Sequence, residues 1–145
     1  MYLLFDIGGT KTRFAYTQDL KSFVDQPTIF YTKPDYNNEL EEIKKSLTKD
    51  SIERCVGGMP GIINEGKLTF APNLPGYIGK NISEDLKTLF NTQIVEVKND
   101  AQMAALGEAS FGAGKGYKNI CYLTFGTGVG GGIVSNNNLL ETQFF

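Results

Sequence analysis

An apolar run from Leu3 to Ile7 opens the chain and stops at Gly8-Gly9, and a second run extends from Arg13 to Thr17. Short runs bounded by glycine read as strands, and the glycine turn joins these two as a hairpin. A third run, Thr28 to Thr32, sets Ile29 and Tyr31 on one face and Phe30 and Thr32 on the other. Pro34-Asp35 ends it and caps a helix. In that helix Leu40, Ile43 and Leu47 recur at helical spacing, and Glu39, Glu41, Glu42, Lys44 and Lys45 are expected to stand in solvent. The next strand, Ile52 to Val56, runs into the turn Gly57-Gly58-Met59-Pro60-Gly61. Ile62-Ile63 and Leu68-Thr69-Phe70 flank Asn64-Glu65-Gly66-Lys67, a hairpin signal. After a loop over 71–77, Asn81 with Glu84 three residues on forms a capping-box pattern. It opens a helix with Ile82, Leu86, Leu89 and Phe90 on one face. A strand over 94–98, a small-residue helix from 101 to about 111 and the glycine loop 112–116 follow.

The opening meander is antiparallel, and the later strands arrive through crossover helices. The order predicts an α/β fold with a mixed sheet and crossover helices, and it resembles one lobe of the actin-like, RNase-H-like ATPase fold. The pattern then restarts. Asn119 to Phe125 and Val129 to Ser135 enclose Gly126-Thr127-Gly128, which repeats the first hairpin. The expected division is a first lobe over 1–118 and the opening hairpin of a second, incomplete lobe over 119–145.

Composition narrows the function. At 145 residues, 41% hydrophobic and 21% charged, the chain is one ordinary globular domain. A net charge of −2 without blocks of either sign predicts no nucleic-acid footprint and no basic membrane face. The apolar runs are too short to span a bilayer. The N-terminus lacks the basic region and cleavage site of a signal peptide, so a cytoplasmic location is expected. There is no histidine, which removes Ser-His and Cys-His nucleophile chemistry and leaves too few ligands for an ordinary zinc site within this chain. Cys55 and Cys121 both fall in predicted strands and read as buried, reduced thiols.

Three motifs carry chemistry. Asp6-Ile7-Gly8-Gly9-Thr10-Lys11 places two glycines where a backbone approaches closely, with a hydroxyl, amides and a cation beside them for phosphate oxygens. Asp6 at the strand end can hold a hydrated magnesium ion. A plain Gly-Gly hairpin explains the same residues. Gly126-Thr127-Gly128-Val129-Gly130-Gly131 satisfies the dinucleotide fingerprint formally, but a strand rather than a helix follows, so it reads as a second phosphate turn using Thr127 and Gly128. Asn99-Asp100 lies at a strand-to-helix junction, where open α/β sheets place ligands. Asp100 is a candidate general base for a hydroxyl attacking phosphorus, and Asn99 a candidate ligand of the acceptor. A helix cap made by Asp100 is the competing reading. Glu108 reads as structural. Gly58-Met59-Pro60-Gly61 and Pro72-Asn73-Leu74 are loops at the same sheet edge, either plain turns or walls of a pocket. One base between two phosphate turns reads as phosphoryl transfer to a hydroxyl.

Taken together the motifs resemble the ROK family of repressors, open reading frames and sugar kinases. The resemblance rests on Asp6-Ile7-Gly8-Gly9-Thr10-Lys11, Pro60-Gly61, Asn73-Leu74, Asn99-Asp100-Ala101, Ala104-Ala105-Leu106-Gly107-Glu108 and the glycine run 126–132, in that order along nearly the whole chain. It implies ATP-dependent phosphorylation of a hexose or N-acetylhexosamine, with ATP and magnesium as cofactors. It also implies Asp100 as base, Asn99 as sugar ligand, and Gly61 and Asn73 in loops lining the sugar pocket. Gly8, Gly9, Thr10, Lys11 and Arg13 belong to the first phosphate turn, Thr127 and Gly128 to the second, and Asp6 stands near magnesium.

Members of the family run to roughly twice this length. The Glu-x-Gly-His sugar segment, the cysteine-rich zinc loop after it and the adenine-binding part of the second lobe are not in this sequence. Only Met1 precedes the first strand, so the DNA-binding regulators of the family are not the expected branch. The alternative to a kinase is a non-catalytic sugar-binding or assembly module. In either case a homo-oligomer through the C-terminal hairpin is expected, because such a hairpin leaves an open sheet edge.

Overall fold

The computed structural model describes residues 1–47, 49, 51–126 and 128–140. Its main sheet runs β3-β2-β1-β4-β7, built from β1 (Tyr2–Ile7), β2 (Lys11–Thr17), β3 (Thr28–Tyr31), β4 (Arg54–Met59) and β7 (Ile94–Asn99). Strands β1 to β3 form an antiparallel meander, and β4 and β7 lie parallel to β1. Helix α1 (Tyr36–Ser46) makes the crossover to β4, and α2 (Ile82–Phe90) the crossover to β7. Between β4 and α2 a small hairpin, β5 (Ile62–Asn64) and β6 (Lys67–Phe70), and a short 3₁₀ turn at Pro75–Tyr77 stand at the sheet edge. Helix α3 (Asp100–Phe111) leads to a separate sheet ordered β10-β9-β8, from β8 (Asn119–Phe125), β9 (Val129–Ser135) and β10 (Asn138–Leu139). The α/β expectation with a mixed sheet and crossover helices therefore holds.

Alternation along β1 sends Leu3, Phe5 and Ile7 inward, where they meet Phe14 of β2, Ile43 of α1, Cys55 and Met59 of β4, Leu86 of α2 and Val95 and Val97 of β7. Tyr36 and Tyr77 pack edge to face at 5.2 Å within the same core. Both phenols are buried and bonded, Tyr36 to Asp85 and Tyr77 to the Lys33 carbonyl.

A second cluster holds α3 to the smaller sheet. Ala105, Ala109 and Val134 are its buried members. The helix lies almost on the strand: a Cβ on Gly132 would stand 2.7 Å from the Ala105 Cβ, and one on Gly130 3.0 Å from the Ala101 Cβ. Small residues on both partners let the backbones touch. On its other side α3 meets β4, where a Cβ on Gly58 would stand 3.1 Å from the Asp100 Cα.

Several elements depart from the sequence reading. Strand β4 continues to Met59, so Gly57 and Gly58 are strand residues rather than turn residues. Gly57 faces the Phe5 ring and carbonyl, where a side chain would overlap them. Glu39, expected in solvent, is fully buried. Cys121 is exposed, because on β8 it shares the face turned away from α3, whereas Cys55 is buried as expected. Asn81 caps α2 by accepting from the Glu84 amide at 3.2 Å, but the Glu84 side chain pairs with Lys87 instead of closing the box. Strand β10 was not foreseen; Asn136 and Asn137, both at positive φ, turn the chain into it.

Candidate active site

The carboxyl ends of the parallel strands β1, β4 and β7 lie side by side, with Asp6 opposite Gly58 and Met59 opposite Asn99. Every chain segment that leaves this edge carries a candidate residue. From β1 comes the turn Gly8-Gly9-Thr10. From β4 come Pro60 and Gly61, and from β7 the Asn99-Asp100 junction. The loop before the 3₁₀ turn completes the group, since a Cβ on Gly9 would stand 3.1 Å from the Asn73 Cβ. Loops from four parts of the chain thus converge where open α/β sheets bind ligands.

The junction is organised by Asn99. Its Oδ1 accepts from the Ala101 and Gln102 amides at 2.9 and 3.3 Å, so Asn99 is the cap of α3. Its Nδ2 donates to the Gly61 carbonyl at 3.0 Å, which ties the β4 loop to the start of the helix. Gly61 sits at φ +113°, a conformation that glycine adopts without strain. The cap reading of Asp100 is therefore overturned. Asp100 is the first helical residue, exposed, and its Oδ1 accepts from the Ala101 amide at 2.8 Å. Its carboxylate stands at the positive end of the helix.

In the first turn Gly8 donates to the Lys11 carbonyl at 2.9 Å. Among the described residues the Gly9 and Thr10 amides donate to no protein acceptor, and both residues are exposed. Lys11 leans over Tyr31, its Nζ 6.0 Å from the ring centroid. Arg13 pairs with Asp6 through Oδ2, directly across the hairpin. The other carboxylate oxygen of Asp6 is without a partner among the described residues. A lone carboxylate at a strand end suits magnesium, which keeps most of its water. Two unengaged amides beside a lysine suit phosphate oxygens. Among the described residues no group of three or more Cys, Asp and Glu gathers to hold a metal by itself.

The second turn is held by a bond from the Gly126 amide to the Gly128 carbonyl at 2.9 Å. Thr127 lies outside the described residues. Packing of Gly130 on Ala101 sets this end of the β8–β9 hairpin beside the first turn of α3. Of the sequence-derived residues, Gly8, Gly9, Thr10, Gly61, Asn73, Asn99 and Asp100 come together at one edge. Glu108 keeps its structural role, its Oε2 accepting from the Ala113 amide beyond the helix end at 2.8 Å. The sequence reading missed Gly130 and Gly132 as packing residues; the small residues at 101, 104 and 105 were the available signal. A surface hollow of about 600 Å³ lies elsewhere, at the far end of α3 beside Lys115, Lys118 and Asn137.

The ROK family model matches residues 2–144. The glucokinase of Halalkalibacterium halodurans is 35% identical over 97% of this chain and 46% of its own length. The N-acetyl-D-glucosamine kinase of Yersinia enterocolitica is 33% identical over 97% of this chain and 48% of its own length. Among solved structures, a ROK family glucokinase from Streptomyces griseus in complex with glucose and AMPPNP superposes with a TM-score of 0.84 at 27% identity, over 98% of this chain and 46% of that one. The chain thus spans about half the length of the curated relatives it matches. With its sheet order, its edge loops and a family match over nearly every residue, this chain belongs to the ROK family.

Proposed function

We propose that this chain carries the first lobe of an ATP-dependent sugar kinase that phosphorylates a hydroxyl of a hexose or N-acetylhexosamine. The observation that carries the reading is the position of Asp100: at the sheet edge, released from capping by Asn99, and beside the loops of Gly61 and Asn73. The names of the relatives support the substrate class.

In this reading the sugar lies against Gly61, Asn73 and Asn99. Asp100 accepts the proton of the attacking hydroxyl as the oxygen bonds to the γ-phosphorus and the bond from that phosphorus to the ADP oxygen breaks, ADP leaving. Asn99 has one amide proton left after its bond to Gly61 and offers it to the sugar. The amides of Gly9 and Thr10, with Lys11, bind phosphate oxygens, and Arg13 holds Asp6 in place across the hairpin. Asp6 would hold a magnesium ion, which would neutralise charge on the phosphates. The sequence assigns Gly128 and Thr127 to the second phosphate turn.

The test is calorimetry of the chain with glucose, N-acetylglucosamine and N-acetylmannosamine against ATP-Mg, followed by a coupled turnover assay. Sugar is expected to bind more readily than ATP-Mg, because the sugar-facing loops are assembled here. In any active form Asp100→Asn should lower turnover by ~10²–10⁴-fold, the range for loss of a general base. Its melting temperature should hold, since the cap belongs to Asn99. A variant that keeps near-normal turnover would remove Asp100 from the mechanism. Sugar binding with no turnover in any assembled form would favour the non-catalytic sugar-binding module.

A further inference from the structure

Glu39 is the one residue of α1 whose burial contradicts its chemistry. It faces inward from a helix otherwise lined with solvated Glu and Lys, and it has no exposed surface. None of the ion pairs among the described residues includes it. A buried carboxylate without a cation is costly unless hydrogen bonds compensate, so its partners are informative.

Besides the Tyr77 hydroxyl, which also lies against Glu39 in the core, its partners lead to one place. Oε2 accepts from the Lys33 amide at 2.7 Å, and Oε1 from the hydroxyl of Thr12, which is itself fully buried. The Thr12 hydroxyl lies 3.0 Å from that of Thr32; because its one hydrogen goes to Glu39, it can only accept here, and Thr32 shares its hydrogen between Thr12 and the Gly8 carbonyl. Thr32 then holds the first glycine turn twice: its hydroxyl donates to the Gly8 carbonyl at 2.7 Å and its amide to the Thr10 carbonyl at 3.0 Å. The described peptide bonds are all trans, and a trans peptide sets its C=O and N–H on opposite sides. Fixing the Gly8 carbonyl inward therefore turns the Gly9 N–H outward. Among the described residues that amide donates to no protein acceptor.

We propose that Glu39 is a positioning residue for the first phosphate turn: through Thr12 and Thr32 it fixes the Gly8 and Thr10 carbonyls and so aims the Gly9 amide at a nucleotide phosphate. The role rests on the reading of that turn as a phosphate site. Sugar recognition, at Gly61, Asn73 and Asn99, lies outside the relay. The relay needs hydrogen bonds at residue 39 but no charge. Glutamine can serve, its carboxamide oxygen accepting from Lys33 and its NH₂ donating to Thr12, whose own hydrogen then turns to Thr32.

The test compares the 145-residue chain with Glu39→Gln, Glu39→Met and Thr32→Val by backbone NMR. Amide exchange at Gly8 and Thr32 is read first, without ligand. AMPPNP-Mg is then titrated while the Gly9 and Thr10 amides are followed, and glucose is titrated separately. Glu39→Met and Thr32→Val should speed exchange at Gly8 and Thr32, leave β4 and β7 amides unchanged, and weaken AMPPNP-Mg about three- to tenfold, the scale of one lost hydrogen bond. Glucose affinity should hold, and Glu39→Gln should match the wild type in every reading. The proposal is overturned if Glu39→Met keeps wild-type exchange and nucleotide affinity. It is equally overturned if sugar and nucleotide affinities fall together, or if Gln fails as badly as Met. Should Glu39→Met not fold, Thr32→Val, at a half-buried position, decides by the same readings. A wild-type chain whose turn amides ignore AMPPNP-Mg would overturn the phosphate reading itself, and the exchange rates would still show whether Glu39 sets the turn.

Discussion

Asn99 uses both acceptor directions of its carbonyl on the helix start and one amide proton on the Gly61 carbonyl. Two substitutions separate these uses. Asn99→Ala removes both and should destabilise the fold by about 1–2 kcal/mol, the cost of a lost cap. Asn99→Asp keeps the cap and adds a charge at the favourable end of the helix. It loses both amide protons, the one tied to Gly61 and the one offered to the sugar, and sets a carboxylate oxygen against the Gly61 carbonyl, so it should lose less melting temperature than Asn99→Ala while sugar affinity falls; an equal loss in both variants would mean the tether is structural. The cysteines separate as sharply. Burial pushes the Cys55 thiol up to about 12, while Cys121 is exposed. A thiol reagent at pH 8 should therefore titrate one cysteine in the native chain and two after denaturation. Burial, helped by Asp85 for Tyr36 and by Glu39 for Tyr77, also raises both phenols. Such groups stay protonated in the folded chain when the unfolded chain has begun to lose protons. The unfolded state then binds fewer protons, and stability falls as pH rises. The fall should begin near pH 9, the ordinary thiol value, and continue through about 12. Cys55→Ala should flatten its first part in a series of thermal melts. The place of Asp100 at the sheet edge was legible from its junction, where the spacing fitted a cap as well, whereas the division of labour with Asn99 was not. Both residues cap helices, and only the coordinates show which side chain turns back on the amides.

At the scale of elements, the governing contact is α3 on β9. Ala101 and Ala105 face Gly130 and Gly132 at distances that exclude even one added methyl without movement. Gly132→Ala should cost about 1–3 kcal/mol, the range for overpacking. It should also move the helix start, so under the proposed role of Asp100 turnover of an active form should fall although the mutation lies on another element. A melting curve with a turnover assay would check both effects; a variant with wild-type melting would show that the sheet can retreat. The small residues of α3 were visible in the sequence, and so was the glycine run of β9. Their mutual fit was not, because periodicity describes one element at a time. The same reason explains Glu39. The pattern at 40, 43 and 47 placed a stripe on α1, and a charged residue beside the stripe reads as solvated. The observed buried set is Tyr36, Glu39 and Ile43, rotated toward the turn that Thr12 and Thr32 support. Glycine likewise misled at Gly57, where a punctuation signal marked close packing inside a strand.

For the whole molecule, the main sheet is well covered and the smaller one is not. The order β10-β9-β8 leaves β8 with one unpaired edge among the described residues. On the face turned away from α3, Leu123, Phe125 and Val129 are 59, 76 and 72% exposed, with Cys121 and Ile133 in register beside them. Ile120 and Tyr122, on the opposite face, pack with α3 instead. An apolar face next to an open edge favours association, because pairing the edge satisfies backbone groups while the face leaves water. The isolated chain is therefore expected to self-associate through the β8–β9 hairpin. Light scattering behind size-exclusion chromatography should show a mass that rises with concentration. Leu123→Lys and Phe125→Lys together should restore the monomer without lowering the melting temperature, since neither side chain contributes to a core. Charges placed there would also repel across any copy-to-copy pairing of the strand. A monomer at all concentrations would mean that this face stays wet in the free chain. A drop in melting temperature in the double variant would mean that the two side chains pack within the chain itself.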